Sequence, residues 1–264
     1  MTDATPTHTA AFFDLDKTII ATTSSMAFSR PFFKAGLITR SDAIRTAYAQ
    51  FLFLVGGADD RQTTRLRDAL SDLIKGWDVA LVDRIVRETV QELIDPVVYS
   101  EAVELIRRHK INGREVVVVS ASGHELVEPI ATMLGADRVI ASRMEVKKGF
   151  YTGTIESYAF GPRKAEAMEE LAAERGYDLE GSYAYSDSIT DAPMLDAVGH
   201  GFAVNPDRTM RKAAADHGWG VLRFKKPVAL RKGTAVRSSL ISLAAVGAAV
   251  TAGILIYRHS QGRR

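Results

Sequence analysis

The 264-residue chain contains no cysteine. That excludes disulfides, thiolate catalysis and cysteine-based zinc sites, and it suits a reducing compartment. The first ten residues, MTDATPTHTA, lack the apolar run of a secretion signal. No internal repeat stands out, and the only compositional bias is an Ala/Gly-rich tail. Acidic residues are missing from Val221 to Arg237, where six basic residues fall (Arg223, Lys225, Lys226, Arg231, Lys232, Arg237). Arg258, Arg263 and Arg264 add three more. The whole chain carries a formal charge of +2, so residues 1–220 alone carry about −7. An acidic body with a basic tail argues against a nucleic-acid surface.

The residues that are present are those of a globular protein. Hydrophobic residues make up 46% and charged residues 25%, enough for one large domain or a core with a smaller insert. One apolar run stands apart. Ser238–Tyr257, SSLISLAAVGAAVTAGILIY, is 20 residues without a charge and is bracketed by Arg237 and Arg258. This length suits a bilayer-spanning helix, and the excess of basic charge before it places that side in the cytoplasm. The expectation is a body at the cytoplasmic face of the membrane, held by a single-pass C-terminal anchor.

Along the body, AFFDLD at 11–16 reads as a buried strand that ends in two carboxylates. Residues 22–95 read as helical. They include SDAIRTAYAQFLFLV and VALVDRIVRETVQELI, both with apolar residues at helical spacing. No strand pattern breaks this stretch, so it reads as a helical insert. From residue 99 helices alternate with strands. SEAVELIRRHKINGR is a helix, EVVVVSAS a buried strand, HELVEPIATMLGA a helix and RVIAS a short strand. RMEVKKGFYTGTIES reads as a hairpin turning at Lys148–Gly149, and PRKAEAMEELAAERG as a helix opened by Pro162. GSYAYSDS and HGFAVNP are further strands, and DAPMLDAVG opens a helix between them. The pattern predicts an α/β fold with a doubly wound parallel sheet.

Polar residues gather where strands end: Asp14 and Asp16, then Ser120, then Asp187 and Asp191, with Lys164 near the start of a helix. In open parallel sheets this edge is the ligand-binding crevice. Four carboxylates offer hard oxygen ligands suited to Mg²⁺, which commonly carries a phosphate. An ionised aspartate can attack phosphorus, a second carboxyl can protonate the leaving alcohol, and a hydroxyl with an ammonium can hold the phosphoryl oxygens.

The segments DLDKT, VVVVS, an isolated lysine and SDSITD, in that order, resemble the four motifs of the haloacid dehalogenase superfamily of phosphatases. The branch that includes phosphoserine phosphatases is the nearest. The resemblance spans roughly residues 10–220. It implies a Rossmann-like core over 10–21 and 96–220 and a helical cap over 22–95; beyond it, charge and hydropathy alone give a basic linker over 221–237 and a transmembrane helix over 238–257. The resemblance also implies Mg²⁺-dependent hydrolysis of a phosphomonoester through an aspartyl-phosphate. By that resemblance Asp14 is the nucleophile and a metal ligand. Asp16 is the general acid/base and lends its main-chain carbonyl to the metal. Thr18 secures the loop of the first motif at the substrate side. Ser120 and Ala121 bind the phosphate, and Lys164 binds phosphate and steadies the nucleophile. Asp187 is a metal ligand, and Asp191 supports the metal shell or the lysine.

Two departures stand out. Ser186 precedes Asp187 where the family has glycine. No acid lies between Ile19 and Ser41, where phosphoserine phosphatases carry a glutamate for the substrate's amine. The substrate is therefore expected to be a small phosphorylated metabolite or a lipid phosphate near the membrane, with phosphoserine as the alternative. A signalling receiver domain and a non-catalytic membrane-anchored binding protein are the competing classes. His124 reads as an exposed loop or helix-start histidine rather than a substrate contact. Phe28, Phe32, Phe33, Phe51 and Phe53 read as cap core.

Overall fold

Strand β1 (Ala10–Asp14) is buried along its whole length, because it lies in the middle of a seven-stranded sheet. The computed structural model describes residues 8–39, 71–225 and 227. The sheet order is β4-β3-β2-β1-β5-β6-β7, with β2 Glu115–Gly123, β3 Arg138–Lys147, β4 Phe150–Ser157, β5 Tyr183–Ser186, β6 His200–Val204 and β7 Gly220–Leu222. All neighbours run parallel except β3 and β4, which form an antiparallel hairpin. Phe12 lies between Val117 on one side and Ala184 on the other.

The period of two along β1 divides its side chains between two cores. Ala11 and Phe13 join one cluster with Val116 and Val118, while Ala10 and Phe12 join the other with Val117 and Val119. Helices α3 (Ser100–Ile111) and α4 (His124–Met133) feed the first core through Ile106, Val127 and Ile130. Helices α5 (Pro162–Arg175), α6 (Ala192–Asp196) and α7 (Arg208–His217) feed the second through Met168, Leu195 and Met210. The chain proceeds from β1 outward to β4, then returns to β5 on the other side of β1. That reversal opens a crevice at the carboxyl ends of β1 and β5.

The helical insert contains α1 (Ser24–Lys34) and α2 (Val79–Ile94), and residues 71–74 are also helical. Thr23 caps α1 by accepting the Met26 N–H, and Asp78 caps α2 by accepting the Leu81 N–H. Phe28 and Phe32 are buried, as expected, but Phe33 is exposed. Phe51 and Phe53, and the helix expected from SDAIRTAYAQFLFLV, lie outside the described residues. The insert is not packed apart from the sheet. Phe28, Phe32, Val82 and Val86 belong to the same core cluster as Phe13 and Val118. Its chain also bonds the hairpin directly: Gly76 N–H to Tyr151 C=O, Tyr151 N–H to Trp77 C=O and Val79 N–H to Gly149 C=O.

Other expectations need revision. RVIAS is not a separate short strand but the first half of β3, which pairs with β2 and then continues into the hairpin. The turn falls at Lys148 and Gly149, both with positive φ (53° and 83°), as a tight two-residue hairpin requires. The basic segment does not begin at 221. Val221 and Leu222 are in β7 and pair with Ala203 and Val204, so their backbone groups are used by the last strand of the sheet. Among the described residues no helix is long and apolar enough to cross a membrane. The apolar run 238–257 lies outside them.

Candidate active site

The loop leaving β1 is short and wound tightly. Ile19 and Ile20 N–H groups both reach Leu15 C=O, and Lys17 takes a left-handed φ of 63°. Within this turn Asp14 and Thr18 are buried and Asp16 is half-buried. Thr18 does not stand free at the substrate side. Its Oγ1 accepts the Asp187 N–H at 3.0 Å and donates to Asp187 Oδ1 at 3.4 Å, so it joins the first motif to the last.

Lys164 occupies the first turn of α5, after Gly161 and Pro162 open that helix. Its side chain is 4% exposed, and its Nζ donates to Asp14 Oδ1 and Asp191 Oδ2, both at 2.7 Å. Residues 150 and 27 positions away thus meet at one ammonium group. Ser186, the departure from the family pattern, also donates to Asp191 Oδ2 at 2.7 Å. Asp191 is therefore engaged by the lysine and by a hydroxyl. Ser120 is buried at the end of the hydrogen-bonded run of β2, and its Oγ accepts the Ser122 N–H at 3.2 Å. Ala121 C=O accepts from Ser142 Oγ at 2.7 Å.

Asp16 has partners that the motifs do not disclose. Its Oδ1 accepts the Ser24 N–H at 2.8 Å, and its Oδ2 accepts Ser122 Oγ at 3.0 Å and Ser24 Oγ at 3.3 Å. In sequence, Ser24 sits in TTSS and Ser122 in SASG, patterns too common in loops to single out. His124 begins α4 and lies 3.8 Å from Glu128, an i,i+4 neighbour. A hollow of about 720 Å³ lined by Gly153, Glu156, Tyr158, Arg163 and Glu170 opens beside α5, but none of the clustered carboxylates line it.

The electrostatics follow from burial. Burial pushes the Asp14 carboxyl up to about 7 against the pull of Lys164, with Asp191 and Asp187 adding to the rise. Burial likewise pushes Asp187 up to about 6, opposed by Lys17. Asp16 is raised by burial and partly restored by the Ser24 N–H and the two hydroxyls. For Lys164, burial would depress the ammonium, but Asp14 and Asp191 overcome it and hold the group above the usual lysine range. Several acids therefore share one buried ammonium, and the cluster is short of positive charge.

That deficit is what a divalent cation would relieve, and carboxylate and carbonyl oxygens are the donors that Mg²⁺ prefers. Among the described residues no three His, Asp or Glu side chains form a ready cage. A cation here would need water or a ligand oxygen to complete its shell, as Mg²⁺ ordinarily does. The donors fit such an ion.

A buried Asp–Lys–Asp bridge thus stands at the switch point of a doubly wound sheet, with a second carboxyl two residues along. The haloacid dehalogenase-like hydrolase model matches residues 11–196, and the chain belongs to this family. It is 55% identical over 257 residues to the "Inhibition of morphological differentiation protein" of Streptomyces azureus, covering 95% of this chain and 93% of that protein. It is 53% identical over 253 residues to a probable phosphatase of Mycobacterium tuberculosis, covering 95% and 88%. A phosphoserine phosphatase of the same organism is 31% identical over 245 residues, covering 92% and 79%. Family membership makes the protein an enzyme of the hydrolase class and displaces the receiver-domain and binding-protein readings.

Proposed function

We propose that this protein is a Mg²⁺-dependent phosphomonoester hydrolase that works through an aspartyl-phosphate. The observation that carries this reading is the buried Lys164 Nζ held at 2.7 Å from both Asp14 and Asp191, with Asp16 and Asp187 in the same crevice. In this reading an Asp14 carboxylate oxygen bonds to phosphorus as the bond to the leaving oxygen breaks. Asp16 delivers its proton to that leaving oxygen. Asp16 then takes a proton from water, which attacks phosphorus, frees Asp14 and yields inorganic phosphate. Lys164 offsets charge on the phosphoryl oxygens and keeps Asp14 aimed, and the Ser120 hydroxyl and the main chain at Ala121 bind the phosphate. Asp14, Asp187 and the Asp16 main-chain carbonyl would hold Mg²⁺, with Asp191 behind them. The ion would supply positive charge opposite the phosphoryl oxygens.

For the substrate we favour a small phosphorylated metabolite or a lipid phosphate. The phosphoserine alternative has the 31% identical relative in its favour. Against it, no acid lies between Ile19 and Ser41, and the first turn of α1, beside Asp16, carries none to pair with an amine. The uncharged run 238–257 with its basic flanks supports attachment at the cytoplasmic face of a membrane. The test is hydrolysis of p-nitrophenyl phosphate with Mg²⁺, followed by a panel that includes phosphoserine and lipid phosphates. Asp14→Asn should lower turnover by about a thousandfold or more with the fold unchanged by circular dichroism. Retention of wild-type turnover in that variant would remove the covalent route.

A further inference from the structure

We infer that Ser122, acting with Ser24, is the positioning residue that aims the Asp16 carboxyl group at the leaving oxygen. This assignment rests on the phosphatase reading above. Asp14 and Asp191 are held by an ammonium, whereas among the described residues the hydrogen bonds to Asp16 come from neutral donors. Ser24 is completely buried, and its N–H, in the first turn of α1, holds Oδ1 at 2.8 Å. Its hydroxyl has one hydrogen and two acceptors in reach, Ser122 Oγ at 2.7 Å and Asp16 Oδ2 at 3.3 Å. The shorter contact sets up a chain from Ser24 to Ser122 to Asp16 Oδ2, whose last link is 3.0 Å. Each carboxylate oxygen therefore has its own holder, and the plane of the carboxyl is set.

Ser122 also works in a second direction. Its N–H donates to Ser120 Oγ at 3.2 Å, so one residue ties the candidate phosphate-binding hydroxyl to the candidate proton donor. Spacing between these groups is what an in-line displacement with leaving-group protonation depends on. Hydroxyl holders suit a group that gives a proton in one half-reaction and takes one in the next. A serine can donate to a carboxylate and accept from a carboxylic acid, so the contact persists in both forms. An ammonium could only donate.

The test uses full-length protein with Mg²⁺ and two esters, p-nitrophenyl phosphate and an alkyl phosphate such as glycerol phosphate. The first leaves without help; the second needs a proton from Asp16. kcat/KM reports the steps through leaving-group departure, so it isolates this half-reaction. Ser122→Ala should lower kcat/KM for the alkyl ester by about tenfold or more, and for the aryl ester by less than about threefold. Ser24→Ala should show the same bias, and Ser122→Thr, which keeps the hydroxyl, should restore most of the alkyl activity. An equal loss on both esters, or none on either, overturns the assignment while leaving the phosphatase reading intact. A wild-type protein inert toward both esters overturns that reading and this assignment together.

Discussion

At Asp14 and Asp187 the fold works against the charge that the chemistry needs. Both carboxyls have folded values, about 7 and about 6, above the ordinary 3.8. The folded protein therefore binds more protons than the unfolded chain between about pH 4 and pH 7. Stability from these groups is full below about pH 4 and declines as pH rises through 6 and 7. In chelator, the melting temperature should fall by a few degrees over that interval beyond the trend of an Asp14→Asn, Asp187→Asn variant. Mg²⁺ held as proposed would bind the ionised form, so adding it should raise the melting temperature more at about pH 8 than at about pH 5. Equal stabilisation at both pH values would show that Mg²⁺ binds elsewhere. The clustered carboxylates were legible in the sequence, since DLD ends an apolar run that reads as a buried strand. Ser24 and Ser122 were not, because a serine's role depends on which distant group its single hydroxyl meets.

Among the elements, the seam between the insert and the hairpin is where local sequence and long-range contact meet. Helix α2 begins on an Asp78 cap, and the residues around it bond to Gly149 and Tyr151. Asp78→Ala should lower stability by about 1 kcal/mol, read by urea unfolding, with turnover of p-nitrophenyl phosphate within twofold. Gly153 faces the same seam with φ +85°, and a methyl there would sit 3.2 Å from Lys75 Cβ and 3.3 Å from Ser71 O. Gly153→Ala should therefore cost about 1 kcal/mol or more by the same measurement. The hairpin turn at Lys148–Gly149 was readable in advance from Gly149 between two alternating runs, since glycine takes positive φ freely; the positive φ of Lys148 was not. The extension of β3 from RVIAS into that hairpin was not, because the strand exchanges a parallel partner for an antiparallel one without a break in sequence pattern.

For the whole molecule, the proposed function gives turnover to the acidic body and attachment to the basic, apolar tail. The side chains proposed to carry out catalysis all lie among the described residues. A chain truncated after Arg237 should keep kcat/KM on a soluble ester within about twofold. It should also lose the co-sedimentation with uncharged phosphatidylcholine vesicles that the proposed anchor predicts for the full chain, since the basic residues it retains find no charge there. Undiminished vesicle binding by the truncated protein would refute the anchor. A fall in turnover on lipid phosphates alone would mark the tail as a means of presenting substrate.

By itself the amino-acid order determined the alternation of buried strands and helices, the burial of β1, the acids at the strand ends and the lysine at a helix start. Those features are local: burial demands apolar runs, and a run that stops in charge marks where the sheet edge begins. Only the tertiary structure decided which groups meet. It brought Lys164 between Asp14 and Asp191, joined Thr18 to Asp187, seated Asp16 on two serines and merged the insert with the main core. Contacts between residues as much as 172 positions apart depend on how strands are ordered across the sheet, and no spacing along the chain encodes that order.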